Sequence, residues 1–217
     1  MSTRIKIDFV SDVSCPWCVI GLKSLQAALG RLGDTVEADL HFQPFELNPQ
    51  MPPQGQDLLE HITEKYGSSA EQVSRNRETI RARGAELGFV FDTDKRGRIY
   101  NTFDAHRLLH WAESRGNGRQ EALEEALFSA YFTEGRNPSD HEVLIELAGR
   151  AGLDADRARA ILASDEFAEE VRAREQLYLR NGIRAVPAVI LNDEYLIQGG
   201  QPVDAFERAL TQVVAEK

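Results

Sequence analysis

The chain has 217 residues, 42% of them hydrophobic and 28% charged, which suits one large globular domain or a domain carrying a sizeable insertion. Its net charge of −10 argues against a nucleic-acid-binding surface and against an anionic membrane face, both of which need clustered Lys and Arg. With only two cysteines, the fold does not rest on a disulfide scaffold.

Met1–Arg4 runs straight into an alternating segment with no apolar stretch and cleavage site of a secretory signal, and no run approaches the length of a membrane span. A cytoplasmic protein is expected. Ile5, Ile7 and Phe9 alternate with Lys6, Asp8 and Val10, predicting a strand with one apolar face and one mixed face. The strand ends at Ser11-Asp12, and Ser14-Cys15-Pro16-Trp17-Cys18 follows. Thiols at i and i+3 close a disulfide when one stands at a helix start and the other one turn in. Pro16 suits the first turn, where its missing N–H has no partner to lose. A thiolate at Cys15 would face unpaired backbone N–H groups and the positive end of the helix dipole, marking Cys15 as the attacking thiol and Cys18 as the resolving one. A closed zinc site needs about four ligands, and no second C-x-x-C supplies them, so redox chemistry is expected and no metal.

Leu22, Leu25, Leu29 and Leu32 form the apolar stripe of a helix that stops at Gly33-Asp34. A second strand runs from Val36 toward Leu47, with Pro44 forcing an end, a bulge or an edge position. Asn48–Gly55, rich in proline, is the clearest boundary. From 56 to 181 the pattern is helical. One short helix carries Leu58, Leu59, Ile62 and Tyr66, and a Ser68 or Ser69 capping box opens the next, which runs to Leu87. Phe89–Phe91 reads as a short extended piece. Asn101 caps a helix over Thr102–Arg115, and others follow at Gln120–Thr133, His141–Ala151, Ala155–Ala163 and Asp165–Arg180, with Asp140 and Ser164 as caps. Strand chemistry returns at Ala185–Leu191 and Glu194–Gln198 around an Asn192-Asp193 turn. Gly199-Gly200-Gln201-Pro202 then leads into a last helix with Val203, Phe206, Ala209, Leu210 and Val213 on one face. This order predicts an α/β, thioredoxin-like fold. Residues 1–55 and 182–217 form its discontinuous main domain, and 56–181 an inserted all-helical domain.

With Cys15-Pro16-Trp17-Cys18 after the first strand and Val186-Pro187 opening a strand near the other end, the chain resembles the DsbA family of thiol-disulfide oxidoreductases. It is most similar to the FrnE-like branch, cytoplasmic relatives close to 2-hydroxychromene-2-carboxylate isomerases and kappa-class glutathione transferases. Phe45-Glu46-Leu47-Asn48-Pro49, Asn101–Arg107 and Gly199–Pro202 look like family signatures too. The resemblance implies that Pro187 is cis and faces the cysteines, exposing the Val186 backbone to an extended substrate. Pro16 and Trp17 are candidate substrate contacts, and Trp17, an aromatic inside the active loop, is expected to lie exposed beside Cys15. The isomerase and transferase relatives typically carry serine where this chain has Cys15, and use glutathione. A dithiol is needed only where electrons are exchanged, which favours an oxidoreductase acting on protein or small-molecule disulfides without a bound cofactor. Gly200 and Gln201 lie where those relatives hold the γ-glutamyl end, so glutathione is a candidate co-substrate, against the plainer reading of a turn. The competing functions are a glutathione-dependent isomerase or transferase and a redox-regulated binding or chaperone-like module.

His106 and His110 share a helical face at i and i+4, but their neighbours read as packing rather than as further metal ligands. Asp12 reads as a strand-end cap before it reads as a thiol-tuning group. Glu46 and His41 stay open.

Overall fold

In the computed structural model, which describes residues 2–216, β1 (Thr3–Ser11) is an inner strand of a four-stranded sheet. It pairs in parallel with β2 (Val36–Pro44), Phe9 opposite Phe42. On its other side it runs antiparallel to β5 (Ala188–Leu191), Val10 opposite Ala188. A fourth strand, called β6 here (Tyr195–Gln198), closes the order β2-β1-β5-β6. Strand β2 is therefore an edge and stops at Pro44, where the sequence placed a break.

Burial of the apolar face of β1 drives the packing. Ile5, Ile7 and Phe9 meet Leu22 and Leu25 of α1 (Pro16–Leu32) and Phe206 and Leu210 of the C-terminal helix Val203–Ala215. The helical block enters the same core, contributing Ile80, Phe91, Phe128, Tyr131 and Phe132. The mixed face of β1 is covered as well: Asp8 is buried, and Val10 packs with Phe45, Tyr178 and Ile183.

The block itself comprises α2 (Leu58–Tyr66), α3 (Ala70–Glu86), α4 (Phe103–Glu113), α5 (Arg119–Phe128), α6 (His141–Arg150), α7 (Ala155–Leu162) and α8 (Ala168–Arg180); the C-terminal helix is α9. Helices α4 to α7 form a second core into which Val13, from the cysteine loop, inserts. Ser69 and Gln72 make the reciprocal capping box of α3, and Asp140 caps α6. No described helix is long and apolar enough to cross a membrane.

Several local expectations are corrected. Phe89–Phe91 forms no strand; instead β3 (Gln56–Asp57) and β4 (Arg98–Ile99) make a two-residue antiparallel pair. Helix α5 gives way to a π turn at Ser129–Thr133. Helix α8 starts at Ala168, because Phe167 takes φ 64° and breaks the chain there, and the Ser164 hydroxyl closes α7 on the Ala160 and Ile161 carbonyls rather than opening α8. Thr102 is the cap position of α4, while the Asn101 side chain accepts from the Phe103 N–H. Residues 185–187 precede β5 instead of joining it.

Candidate active site

Cys15 occupies the N-cap position of α1 in extended backbone, and Pro16 follows as the first helical residue. A tight turn holds the pair: the Cys15 N–H donates to the Asp12 carbonyl at 3.0 Å, and the Cys18 N–H to the Cys15 carbonyl at 3.1 Å. Both thiols are free. Cys15 is 4% exposed and Cys18 0%. Burial, and then the hydrogen bond to Cys15, push the Cys18 thiol well above its usual range, with a backbone hydrogen bond from Asp12 working the other way.

The Val186–Pro187 peptide bond is cis, and the Val186 carbonyl accepts from Cys15 Sγ at 3.7 Å. Close backbone approach makes this possible. A Cβ on Gly21 of α1 would lie 2.9 Å from Pro187 Cγ and 3.6 Å from Gly200 Cα, so the helix and the two loops meet only because residue 21 has no side chain. A Cβ on Gly200 would lie 3.0 Å from the Trp17 carbonyl. Pro187 in turn accepts from the Gly199 N–H at 2.8 Å. Trp17 is half-buried, not exposed as its place in the active loop suggested, because its ring packs on the first core and against Gly200. The Arg83 guanidinium stands 5.9 Å from the Trp17 ring centre. The Gln201 side chain donates to the Gln198 carbonyl within its own turn.

Beneath the loop the groups are ionisable. Asp12 is fully buried; Oδ1 accepts from the Ser14 N–H at 2.9 Å and Oδ2 from the Leu47 N–H at 2.6 Å, tying the cysteine loop to the segment after β2. His106 Nε2 lies 3.9 Å from Asp12 Oδ1. Glu124 is fully buried, accepts from Ser11 Oγ at 2.7 Å, and is pushed up to about 8 by burial. Glu46 is ion-paired with Arg172, which also holds Glu175 at 2.9 Å; burial and the Glu46 charge push Glu175 up to about 7. His41 sits between Asp39 and Glu113, away from this string, and His110 packs on Phe167. No group of three or more His, Cys, Asp or Glu among the described residues could hold a metal.

Sequence reasoning missed Glu124, although the signal was there: Gln120, Leu123, Glu124 and Leu127 fall at helical spacing on one buried face. It also missed Arg96, whose Nη2 donates to the Ser14 carbonyl at 3.2 Å while the guanidinium stacks on Tyr131 and Phe132. Nothing in the flexible-looking 92–97 segment announces that contact.

A cysteine pair heading a helix that follows the first strand, set against an X–Pro bond that enters a neighbouring antiparallel strand, defines the thioredoxin class of fold. Residues 6–211 match the DSBA-like thioredoxin domain, and the chain belongs to that family. A probable DsbA oxidoreductase from Streptomyces coelicolor superposes with a TM-score of 0.90 at 37% identity, covering 98% of this chain and 91% of that one. The uncharacterized protein YwbO of Bacillus subtilis (strain 168) is 28% identical over 218 residues, all of both chains. The cytosolic disulfide reductase DsbM of Pseudomonas aeruginosa, solved with GSH, shares the fold, with a TM-score of 0.63 at 19% identity over 96% of this chain and 98% of that one.

Proposed function

We propose that the protein is a cytoplasmic thiol-disulfide oxidoreductase that exchanges disulfides with protein or small-thiol substrates through Cys15 and Cys18. The observation that carries the reading is the unequal placement of the two thiols: Cys15 at the helix start touching the Val186 carbonyl, Cys18 one turn deeper and sealed from water.

The Cys15 thiolate attacks one sulfur of a substrate disulfide. That S–S bond breaks, a bond to Cys15 forms, and the other substrate sulfur leaves as a thiolate that takes a proton from water. The Cys18 thiolate then attacks the Cys15 sulfur and releases the second substrate sulfur. The product is a Cys15–Cys18 disulfide, with two electrons passed to the substrate; the reverse sequence oxidises a dithiol. The Val186 backbone, held beside Cys15, aligns an extended substrate by strand-like pairing, with Pro16, Trp17 and Pro187 as its neighbours. Glutathione is the small thiol this reading places first, in keeping with the GSH found with DsbM; Gly200 and Gln201 are its proposed contacts beyond the sulfur.

Incubation of Cys18→Ser with glutathione disulfide or cell extract should accumulate mixed disulfides on Cys15, and Cys15→Ser should accumulate none. A Cys18→Ser protein that stays free of adducts contradicts the mechanism.

A further inference from the structure

Helix α3 packs through a stripe whose buried members are Val73, Ile80 and Gly84. Arg77 falls on the same stripe, four residues after Val73 and three before Ile80, where the periodicity calls for an apolar side chain. It is half-buried, and its guanidinium makes no hydrogen bond, ion pair or ring contact with any described residue. Arg77 lines a half-open cleft whose apolar walls are Leu58 at the start of α2, Ile80, Phe91, and Phe132 of the π turn. Arg96 lines the same cleft. Its Nη2 donates to the Ser14 carbonyl at 3.2 Å and its guanidinium carbon stands 4.6 Å from the Phe132 ring centre, but Nε is buried and finds no acceptor among the described residues. A buried guanidinium N–H without an acceptor carries a desolvation cost that a bound acceptor would remove. The one carboxylate among the described lining residues, Asp92, is already engaged by the Lys95 ammonium at 3.0 Å and by the N–H groups of Asp94 and Lys95. The Thr93 hydroxyl lines the cleft too and makes no hydrogen bond with a described residue. Two cations with unused donors thus share one apolar cleft in a chain of net charge −10.

We propose that this cleft binds a short aliphatic carboxylate, held by Arg77 and Arg96 with its hydrocarbon part against Ile80, Phe91 and Phe132. The charge selects an anion, and a carboxylate's two oxygens match the fork of donors on a guanidinium. The size selects a small one. The cleft has about 30 Å³ of room, and a water needs about 10–15 Å³, so it takes a carboxylate head with a few carbons rather than a peptide. Sulfate or phosphate would leave the apolar walls unused. The plainer reading, in which the Arg77 stem covers Ile80 and its charge stays in water, accounts for Arg77 but not for the buried, unpaired Nε of Arg96 beside the same walls. Because Arg96 also holds the Ser14 carbonyl, one residue before Cys15, the bound carboxylate would share a guanidinium with the cysteine loop. No bond is made or broken in this binding, and it does not rest on the dithiol mechanism.

The test uses butyrate as the probe. Arginine Nε signals of the full-length reduced protein, assigned through Arg77→Gln and Arg96→Lys, are followed by ¹H–¹⁵N spectroscopy at low salt as butyrate is added. The Arg77 and Arg96 signals should move together and saturate, while butyramide, of the same shape without the charge, moves neither. Arg77→Gln should weaken butyrate at least about 10-fold, the loss of one charge-assisted contact, and should fold as wild type because Arg77 has no other partner among the described residues. Butyrate should bind roughly 10-fold tighter than acetate, since each buried methylene is worth about 0.8 kcal/mol. Shifts that rise linearly without saturating, or an affinity unchanged in Arg77→Gln, overturn the site. Sulfate or acetate binding as tightly as butyrate overturns the aliphatic carboxylate as its ligand.

Discussion

Two groups of residues meet at the Cys15–Cys18 loop and are made of different materials. Val186, Pro187, Gly199 and Gly200 offer backbone atoms and small or rigid side chains, and they reach the loop through contacts that leave no room for a Cβ on Gly21. Asp12, His106 and Glu124 are ionisable and withdrawn from water, and two of them come from the helical block. The first group works by shape, which in the proposed mechanism positions an extended partner over Cys15. The second works by charge held in low dielectric, where one proton more or less has large consequences. The helical block is therefore part of the candidate site's foundation: it supplies the second core that anchors Val13 and the ionisable groups below the thiols.

The difference can be sharpened first on the charged side. Glu124 has a carboxyl pushed up to about 8 in the folded protein, against about 4.3 for a free Glu. The native state holds a proton there that the unfolded chain has released. The stability this contributes is fully present below about pH 4.3 and is lost as pH rises through 8. Glu124→Gln does not titrate and still accepts from Ser11. It should match wild type near pH 4 and exceed it at pH 9 by on the order of 3 kcal/mol. Denaturant unfolding at a series of pH values reads this directly, and parallel curves for the two proteins would remove Glu124 from the low-dielectric string.

The shape side should respond to volume and not to pH. In an ordinary exposed helix, Gly→Ala gains about 1 kcal/mol. At position 21 the new methyl would meet Pro187 Cγ at 2.9 Å, so α1 or the Val186–Pro187 segment has to shift. We expect Gly21→Ala to lose about 1–2 kcal/mol at every pH and to slow adduct formation at Cys15, since the Val186 carbonyl is displaced. A gain in melting temperature with normal adduct formation would show that the close approach is not what holds the loops.

Legibility in the sequence followed the same divide. Regular periodicity revealed β1, α1 and α9, and paired polar residues revealed the Ser69 and Asp140 caps. The cysteine motif and Val186-Pro187 marked the two loops that the structure brings together. What stayed hidden depends on tertiary context. The two-residue strands β3 and β4 are too short to show a period, and the break before α8 depends on a single positive φ at Phe167. Trp17 looked exposed because nothing local tells that Gly200 will lie against it. His106 was legible as a packed residue, but its free Nε2 appears only when the end of β1 is laid beside α4.

The two thiols have unequal roles in the proposed mechanism, and competitive alkylation tests that inequality most directly. Fully reduced wild-type protein is treated at neutral pH with iodoacetamide below one equivalent, and the labelled cysteine is located by peptide mass spectrometry. Label should accumulate on Cys15, which borders solvent, while Cys18, sealed and holding its proton, stays unmodified until the protein is unfolded. Label found first on Cys18, or equally on both, would contradict the assignment of attacking and resolving thiols.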